Sequence, residues 1–365
     1  MKIVNAEIEL PSTDLHADLA FYTDRLGFRL ESIHPSDDPA VAVISGFGLT
    51  VRLDKASVAA AGILRLTLGS ESVGSQTDGA NLQAGELVSP GGCRVVLEEQ
   101  QLSAVIPPTR HSFQMRQLRD AEPWVIGRAG MMYRDLIDDR LGGSIIASHI
   151  RIPQGGPVPD MVHYHTIGFQ LIYCLSGWVR LVYEDQGPAF ILNAGDCVTQ
   201  PPKIRHRVLE ASDNLEVLEI GVPAHHMTTI DHELELPTGE YRPQRDFDGQ
   251  VFCHHKLADA NWRSASFGTF ELRDSGVATA TDGLAAVEVF RLDQSANEPV
   301  ASLVELTGSA DIHFMLVTRG SVKVTPQNNT GGILNAGDAM VLPPGMSVIL
   351  DEYSDDTEFI QVQIM

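Results

Sequence analysis

A single hexapeptide, Ile-Leu-Asn-Ala-Gly-Asp, occurs twice in the 365-residue chain, at positions 191–196 and 333–338. Two prolines follow each copy in register, and a glycine precedes each copy at nearly the same distance. From residue 113 onward, short apolar runs alternate with turn residues at intervals of about 8 to 12 positions, which is typical of an all-β sandwich or barrel. The repeat therefore predicts two copies of one β module, at 113–228 and 229–365.

The first 112 residues have a different pattern and predict a separate module. Apolar residues recur there at helical spacing within one polar segment: Leu15, Leu19, Tyr22 and Leu26. Ser12 or Thr13 is placed to cap the start of this helix, and Gly27 stands where a left-handed C-terminal residue is wanted. With one strand-like run before the helix and three after it, residues 1–66 predict a small α+β domain of βαβββ order.

Composition excludes several classes of protein. The formal net charge of −22 argues against nucleic acid or an anionic membrane surface as a partner. No apolar run reaches about 18 residues, so no transmembrane helix is expected, and the start of the chain lacks the pattern of a secretory signal. The four cysteines, at positions 93, 174, 197 and 253, form no Cys-x-x-Cys pair. This is typical of a reduced, cytoplasmic protein without disulfides or a thiolate zinc site.

Copy one contains a cluster of histidines in apolar, strand-like sequence. His163 and His165 are two residues apart and would share one face of a strand, while Gln170 falls on the next strand and His206 returns later. Because an unpaired buried imidazole is costly, three of them favour a divalent transition metal over an ordinary polar pocket. Fe(II), Mn(II), Ni(II), Cu(II) and Zn(II) all suit such ligands, and the sequence does not choose among them.

The spacing H-x-H-x4-Q-x6-G followed by G-x5-P-x4-H resembles the two motifs of the cupin superfamily. Gln170 replaces the usual glutamate, and Lys203 stands where the second motif usually has glycine. The resemblance covers residues 113–365 as a bicupin and implies a mainly β fold of two jelly-roll barrels. It also implies that His163, His165, Gln170 and His206 hold the metal.

The N-terminal segment DLHADLAFYTDRLGFRLES resembles the glyoxalase, or vicinal-oxygen-chelate, superfamily. Glu7 falls where that family often has a ligand histidine, and it has no evident partners. We expect a degenerate module, residues 1–112, that serves structure, dimerisation or closure of a lid. Since both families tend to pair, a homodimer is expected by analogy.

Copy two does not repeat the ligand set. We aligned Gly320 on Gly177. In this alignment Leu306 and Gly308 take the positions of His163 and His165, and His313 and Val348 take those of Gln170 and His206. One histidine is too few for a metal site, so copy two is predicted to be structural.

A neutral glutamine leaves the bound ion its full positive charge and favours an anionic or chelating substrate, such as a carboxylate, enolate or catecholate. Three-histidine cupins include ring-cleaving and diketone-cleaving iron dioxygenases. The resemblance thus implies an Fe(II) dioxygenase acting on a small anionic or aromatic metabolite. Two alternatives remain open: a metal-dependent lyase or isomerase that stabilises an enolate, and a non-catalytic small-molecule binder in which glutamine weakens the metal.

Three residues near the motifs are candidate substrate contacts, although each also has an ordinary structural explanation: His149, Arg151 and Arg205. The histidine pairs at 225–226 and 254–255 lie in linker-like sequence and are predicted to be surface residues.

Overall fold

The computed structural model describes residues 3, 5–35, 38–69, 82–101, 103–118, 124–267, 270–293, 303–327 and 331–365. The chain divides into two compact units, Met1–Leu102 and Ser103–Met365. Strands make up 48% of the structure and helices 8%, which confirms the predicted mainly β class. Among the described residues, every helix is too short or too polar to cross a membrane.

The first unit has these elements among its described residues: β1 (Ile8–Pro11), α1 (Leu15–Ala20) with a π-helical turn (Phe21–Arg25), β2 (Arg29–His34), β3 (Val41–Gly46), β4 (Leu49–Asp54), β5 (Ile63–Leu68), β6 (Gly85–Val88) and β7 (Arg94–Glu99). The first four strands form a sheet in the order β1-β4-β3-β2, with β1 parallel to β4. This confirms the βαβββ order. A second sheet has the order β5-β7-β6. Residues 70–81 lie outside the described residues.

The helix of the first unit is amphipathic as predicted. Leu15, Tyr22 and Leu26 are buried, and Leu19 is partly buried. The predicted cap at Ser12 or Thr13 is wrong. Asp14 caps the helix instead, and its carboxylate accepts the backbone N–H groups two and three residues on, both at 3.1 Å. Ser12 donates its hydroxyl to the buried Asp18 at 2.6 Å. Gly27 has a φ of 81° and ends the helix as expected.

Repeat copy one is a sandwich of two sheets. Its region of the chain contains β8 (Gln114–Arg116), β9 (Val125–Ile126), a 3₁₀ turn (Arg128–Gly130), β10 (Met132–Asp135), α2 (Arg140–Gly143), β11 (Ile146–Ile152), β12 (Gly156–Pro157), β13 (His163–Thr166), β14 (Phe169–Ser176), β15 (Trp178–Tyr183), β16 (Phe190–Asn193), β17 (Cys197–Thr199), β18 (His206–Ala211), β19 (Leu215–Val222) and β20 (Met227–Ile230). One sheet runs β17-β14-β19-β11-β10-β9, and the other runs β16-β15-β18-β13-β20, with β12 beside β18.

Repeat copy two has the same plan. Its strands are β21 (His254–His255), β22 (Arg263–Ser264), β23 (Phe270–Asp274), β24 (Ala285–Leu292), β25 (Val304–Thr307), β26 (Ile312–Arg319), β27 (Ser321–Pro326), β28 (Gly332–Asn335), β29 (Ala339–Leu342), β30 (Ser347–Asp351) and β31 (Glu358–Ile364), with a 3₁₀ turn (Leu257–Asp259) and α3 (Val277–Ala280). The sheets run β22-β23-β24-β31-β26-β29 and β25-β30-β27-β28. In both copies the described strands form two facing sheets and no closed barrel, which corrects the expectation of barrels.

Apart from β12 and β20, the strands of copy one have counterparts among the described strands of copy two. One pair of turns shows how similar the backbones are. Gly177 and Gly320 have φ values of 75° and 67°, in the left-handed region that favours glycine. A Cβ on Gly177 would lie 2.3 Å from Ser212 Oγ, and one on Gly320 would lie 2.2 Å from Ser354 Oγ. The repeat seen in the sequence is therefore a repeat of backbone geometry.

The copies also exchange strands. β21, near the start of copy two, pairs with β17 of copy one, and β8, at the start of copy one, pairs with β29 of copy two. The aspartate of each hexapeptide fixes the incoming segment. Asp196 Oδ1 accepts the backbone N–H of Leu257 at 2.8 Å, and Asp338 Oδ1 accepts that of Leu118 at 2.6 Å. Each copy thus depends on chain from beyond its own repeat.

Three apolar clusters hold the second unit together. One lies inside copy one, one lies inside copy two, and the third joins the two large sheets across the interface between the copies. The interface cluster contains Leu171 and Leu218 from copy one and Phe314 and Val362 from copy two, all of them fully buried. Burial of this kind fixes β14 and β19, two strands that carry residues of the site described next.

Candidate metal centre

Three histidines of copy one meet between its two sheets. His163 and His165 lie on β13, and His206 begins β18, directly opposite His163 in the strand register. One ligand nitrogen from each ring lies within 4.8 Å of the other two. All three rings are buried, whereas Tyr164, which lies between the first two, is half-buried and stacks under Arg205. The alternation expected for a strand therefore brings the predicted ligands together.

The Nδ1 atom of each imidazole already has a partner. His163 and His206 donate from Nδ1 to the carbonyl oxygen two residues earlier in the chain, at 2.7 and 3.0 Å. His165 Nδ1 lies 2.9 Å from Thr228 Oγ1. At His163 and His206 this places the lone pair on Nε2, the atom free to bind a metal. His163 Nε2 is buried and has no hydrogen-bond partner.

The rings are held in their neutral form. Burial lowers the pKa of His163, and the charge of Arg128 lowers it further. Burial also holds the pKa values of His165 and His206 well below the ordinary value, with neighbouring imidazoles as the next cause. A neutral imidazole is the form that coordinates a metal.

Gln170 enters from the facing sheet, on β14, and is 1% exposed. Its Nε2 donates to Glu219 Oε1 at 2.6 Å. Its Oε1 is buried and has no hydrogen-bond partner. An unpaired buried amide oxygen is costly, so binding of a partner there would be favourable, and carbonyl oxygen is a suitable donor to a divalent cation. The four predicted ligand residues therefore present two buried, unpaired donor atoms, His163 Nε2 and Gln170 Oε1.

A cavity of about 640 Å³ opens onto this centre and is lined by His165, Gln170 and His206. Its other walls are mainly apolar and include Met131, Ile150, Ile172, Leu181, Val208 and Val217. The polar lining includes Tyr133, Gln200, Glu219 and His226. A small molecule with an apolar body and few polar groups matches such a lining.

A second layer of polar contacts surrounds His163. Asp160 is buried, accepts the backbone N–H groups of Met161 and Val208 at 2.9 Å each, and pairs with Arg128. Its Oδ1 lies 3.6 Å from His163 Nδ1. This carboxylate therefore fixes both the strand end that carries His163 and the guanidinium of Arg128.

The three predicted substrate contacts lie away from the cavity lining. His149 is buried, with Nε2 2.9 Å from Glu216 Oε2. Arg151 donates to Asn214 at 2.9 Å, and Arg205 pairs with Asp231 at 3.1 Å. Each of these side chains is already engaged by another residue of the second unit. The arginines that line the cavity are different ones.

Sequence reasoning missed two residues of the cavity. His226, predicted to be a surface residue with His225, lines the cavity, with its ring 5.3 Å from that of His165. Glu219 is a polar residue inside the apolar strand β19, which is a signal visible in the sequence. The prediction of an exposed pair at 254–255 is also wrong, because this pair forms β21 and is half-buried.

Copy two cannot reproduce the centre. Leu306 faces Val348 in the strand register, as His163 faces His206 in copy one, and both are buried in an apolar cluster. A Cβ on Gly308 would lie 2.2 Å from a backbone oxygen, so no histidine fits there. His313 is buried with both ring nitrogens unpaired. Within the described residues, the triad of copy one is the only such group of three or more histidine, cysteine or acidic ligands.

Comparison with known proteins agrees with this fold. Residues 148–221 match the family model of the cupin domain. Two structures of Bacillus subtilis oxalate decarboxylase are similar, one of a four-residue mutant and one from a study of its Mn(II) centres. Each shows 15% identity and a TM-score of 0.50, with 71% of this chain and 79% of that chain covered. A comparison with curated proteins gives no match. The family match places a cupin domain within copy one, and the structural likeness shows a shared fold.

Proposed function

We propose that this protein is a metal-dependent bicupin enzyme, a dioxygenase that acts on a small anionic or aromatic metabolite. One observation carries the proposal: His163 Nε2 and Gln170 Oε1 are buried without partners beside two further histidines. Unpaired polar atoms in a closed interior are costly unless something binds them. A divalent cation satisfies all four residues at once.

A bound Fe(II) ion would supply Lewis acidity and a centre for oxygen chemistry. The chain itself does the rest. His163, His165 and His206 are held with neutral rings, Gln170 is held by Glu219, and the apolar walls of the cavity exclude water from the substrate. Mn(II) is the alternative ion to test, since one of the similar structures comes from a study of Mn(II) centres in oxalate decarboxylase.

A lyase or isomerase is the second candidate, favoured by one feature. The carboxylate of Glu219 lines the cavity beside Gln170, where it could accept a proton from a substrate carbon acid. Oxalate decarboxylase, a protein of similar fold, has a name that describes a reaction without net oxidation.

Metal content measured on the purified protein is the first experiment, followed by oxygen consumption with panels of carboxylates and catechols. Stoichiometric metal with substrate-dependent oxygen uptake supports the dioxygenase. Turnover without oxygen uptake supports the lyase or isomerase. Protein that lacks stoichiometric metal, and whose ligand binding survives His206→Ala, is a non-catalytic binder and contradicts both enzymes.

We further propose that the first unit is a degenerate glyoxalase-like module used for structure, dimerisation or a lid, in a cytoplasmic homodimer. The support is its βαβββ topology together with Glu7, which is exposed and hydrogen-bonded to Asn5 at 2.9 Å. Deletion of residues 1–102 followed by light scattering tests dimerisation. A deletion variant that stays dimeric contradicts that role.

A further inference from the structure

The charge of the cavity contrasts with that of the chain. The protein carries a formal net charge of −22. Yet the described residues lining the cavity include four arginines, Arg116, Arg128, Arg134 and Arg140, against two carboxylates, Asp135 and Glu219. A cavity lined in this way in an acidic protein concentrates positive potential where a ligand binds, and it selects anions.

Three of the four arginines are occupied with structural contacts. Arg140 pairs with Asp135 at 2.7 Å, and Arg116 pairs with a carboxylate outside the lining and donates to a backbone oxygen. Arg134 contacts the ring of His149 and stacks on an indole ring at 4.5 Å. None of the three is tied to the histidine triad by the contacts of the described residues.

Arg128 differs because its contact leads directly to the metal centre. It pairs with Asp160, whose Oδ1 lies 3.6 Å from His163 Nδ1. Asp160 is almost fully buried, and the side chain of Arg128 is 35% exposed. One buried carboxylate therefore anchors the guanidinium, while the exposed part of the guanidinium remains available for a second, bidentate partner.

Tyr133 supplies a second donor in the same cavity. Among the described residues its hydroxyl has one hydrogen-bond partner, the weak acceptor Met131 Sδ at 3.6 Å. Burial raises the pKa of Tyr133 to about 12, so the hydroxyl keeps its proton at neutral pH. The segment that carries Arg128 packs on this ring, because a Cβ on Gly127 would lie 2.7 Å from Tyr133 Cε2. The backbone beside Arg128 thus lies against the Tyr133 ring, and both residues line the same cavity.

We propose that Arg128 and Tyr133 bind the carboxylate of a small acid whose remaining part is apolar or aromatic and fills the apolar part of the cavity. The inference rests on the proposed function only in placing the substrate beside the histidine triad. It assigns the anionic end of the substrate to two residues on the β9–β10 side of the site.

Calorimetric titration of the full-length, metal-loaded protein with benzoate and phenylacetate, and with their neutral amides, tests the proposal. We expect the carboxylates to bind at least tenfold more tightly than the amides. Arg128→Gln should weaken carboxylate binding at least tenfold, and Tyr133→Phe about threefold. Arg151→Gln is the matched control: its side chain lies outside the cavity, and it should change affinity less than twofold.

Metal content and melting temperature measured on the same samples separate the possible failures. If Arg128→Gln does not fold, the double variant Arg128→Gln/Asp160→Asn removes the carboxylate left unpaired and carries the same expectation. Amides that bind as tightly as carboxylates, a folded Arg128 variant with unchanged affinity, or no binding of either acid would overturn the proposal. Carboxylate binding through Arg128 in a protein that takes up no metal contradicts the proposed function instead.

Discussion

Gln170 and Glu219 face each other from the neighbouring strands β14 and β19, and the Gln170 amide donates to the Glu219 carboxylate at 2.6 Å. The contact fixes the orientation of the amide, because only the nitrogen can donate. The amide nitrogen is thus engaged by Glu219, and the amide oxygen is left without a hydrogen-bond partner. Gln170 itself is neutral, but the carboxylate of Glu219 lies next to its amide. A metal ion held by Gln170 would therefore feel part of that negative charge, which amends the expectation that the ion keeps its full charge.

Replacing Glu219 with glutamine should loosen this orientation. The new amide could donate as well as accept, so the Gln170 amide could turn its nitrogen toward the metal. We expect metal affinity to fall about tenfold to 100-fold, the range for loss of an outer-shell partner. Competition with a chelator of known affinity measures the change. Glu210→Gln, at a partly exposed carboxylate, is the control, and equal affinities for the two variants would contradict the orienting role.

His206→Ala should abolish stoichiometric metal binding while the protein stays folded. Loss of a direct ligand should lower affinity by more than the roughly 10–100-fold that an outer-shell change costs. Val348→Ala is the matched control, since Val348 occupies the same place in copy two and its truncation also opens a buried cavity. Metal analysis by mass spectrometry reads out both variants. Full metal content in the His206 variant would show that the triad is not the site.

His313 should make the protein less stable in acid. Burial lowers its pKa to about 4, so as pH falls below the unfolded-state value of about 6.5 the unfolded chain takes up the proton first. Unfolding is then favoured by up to about 3 kcal/mol between pH 6.5 and 4. His313→Met should remove this loss, and the advantage of the variant over wild type should grow as pH falls.

Urea unfolding at several pH values measures that difference. His225→Met, at an exposed histidine, is the control and should track wild type. A constant difference between the His313 variant and wild type across the pH range would contradict the prediction.

Lys203→Gly should stabilise the protein slightly. Lys203 has a φ of 63°, a left-handed conformation that costs a residue with a Cβ about 1–2 kcal/mol. Part of this gain is offset by the greater freedom of glycine in the unfolded chain, so we expect a net gain of about 0.5 kcal/mol by urea unfolding. The ion pair with Asp248, at 3.5 Å, is open to solvent and contributes little. Lys203→Ala keeps the strain and should show no gain; a gain of equal size there would refute the explanation.

The clustering of the candidate ligands was predictable from strand periodicity and from the spacing of the two cupin-like motifs. His163 and His165 follow from the alternation of a strand, and the loss of the site in copy two follows from aligning Gly320 on Gly177. Arg128 was not predictable, since it lies in a short turn whose path depends on contacts far away in sequence. His226 was missed for the same reason: only the fold brings the end of β19 back to the triad.

The exchanged strands have a consequence for how the two copies can change. β21 covers the outer edge of β17, and β17 pairs with β14, the strand that presents Gln170. Copy one without copy two would lack β21, and that edge of β17 would have no partner strand. The second copy can therefore lose every ligand without harm to the first, but it cannot lose its fold. It persists as a scaffold for a centre that it does not contain.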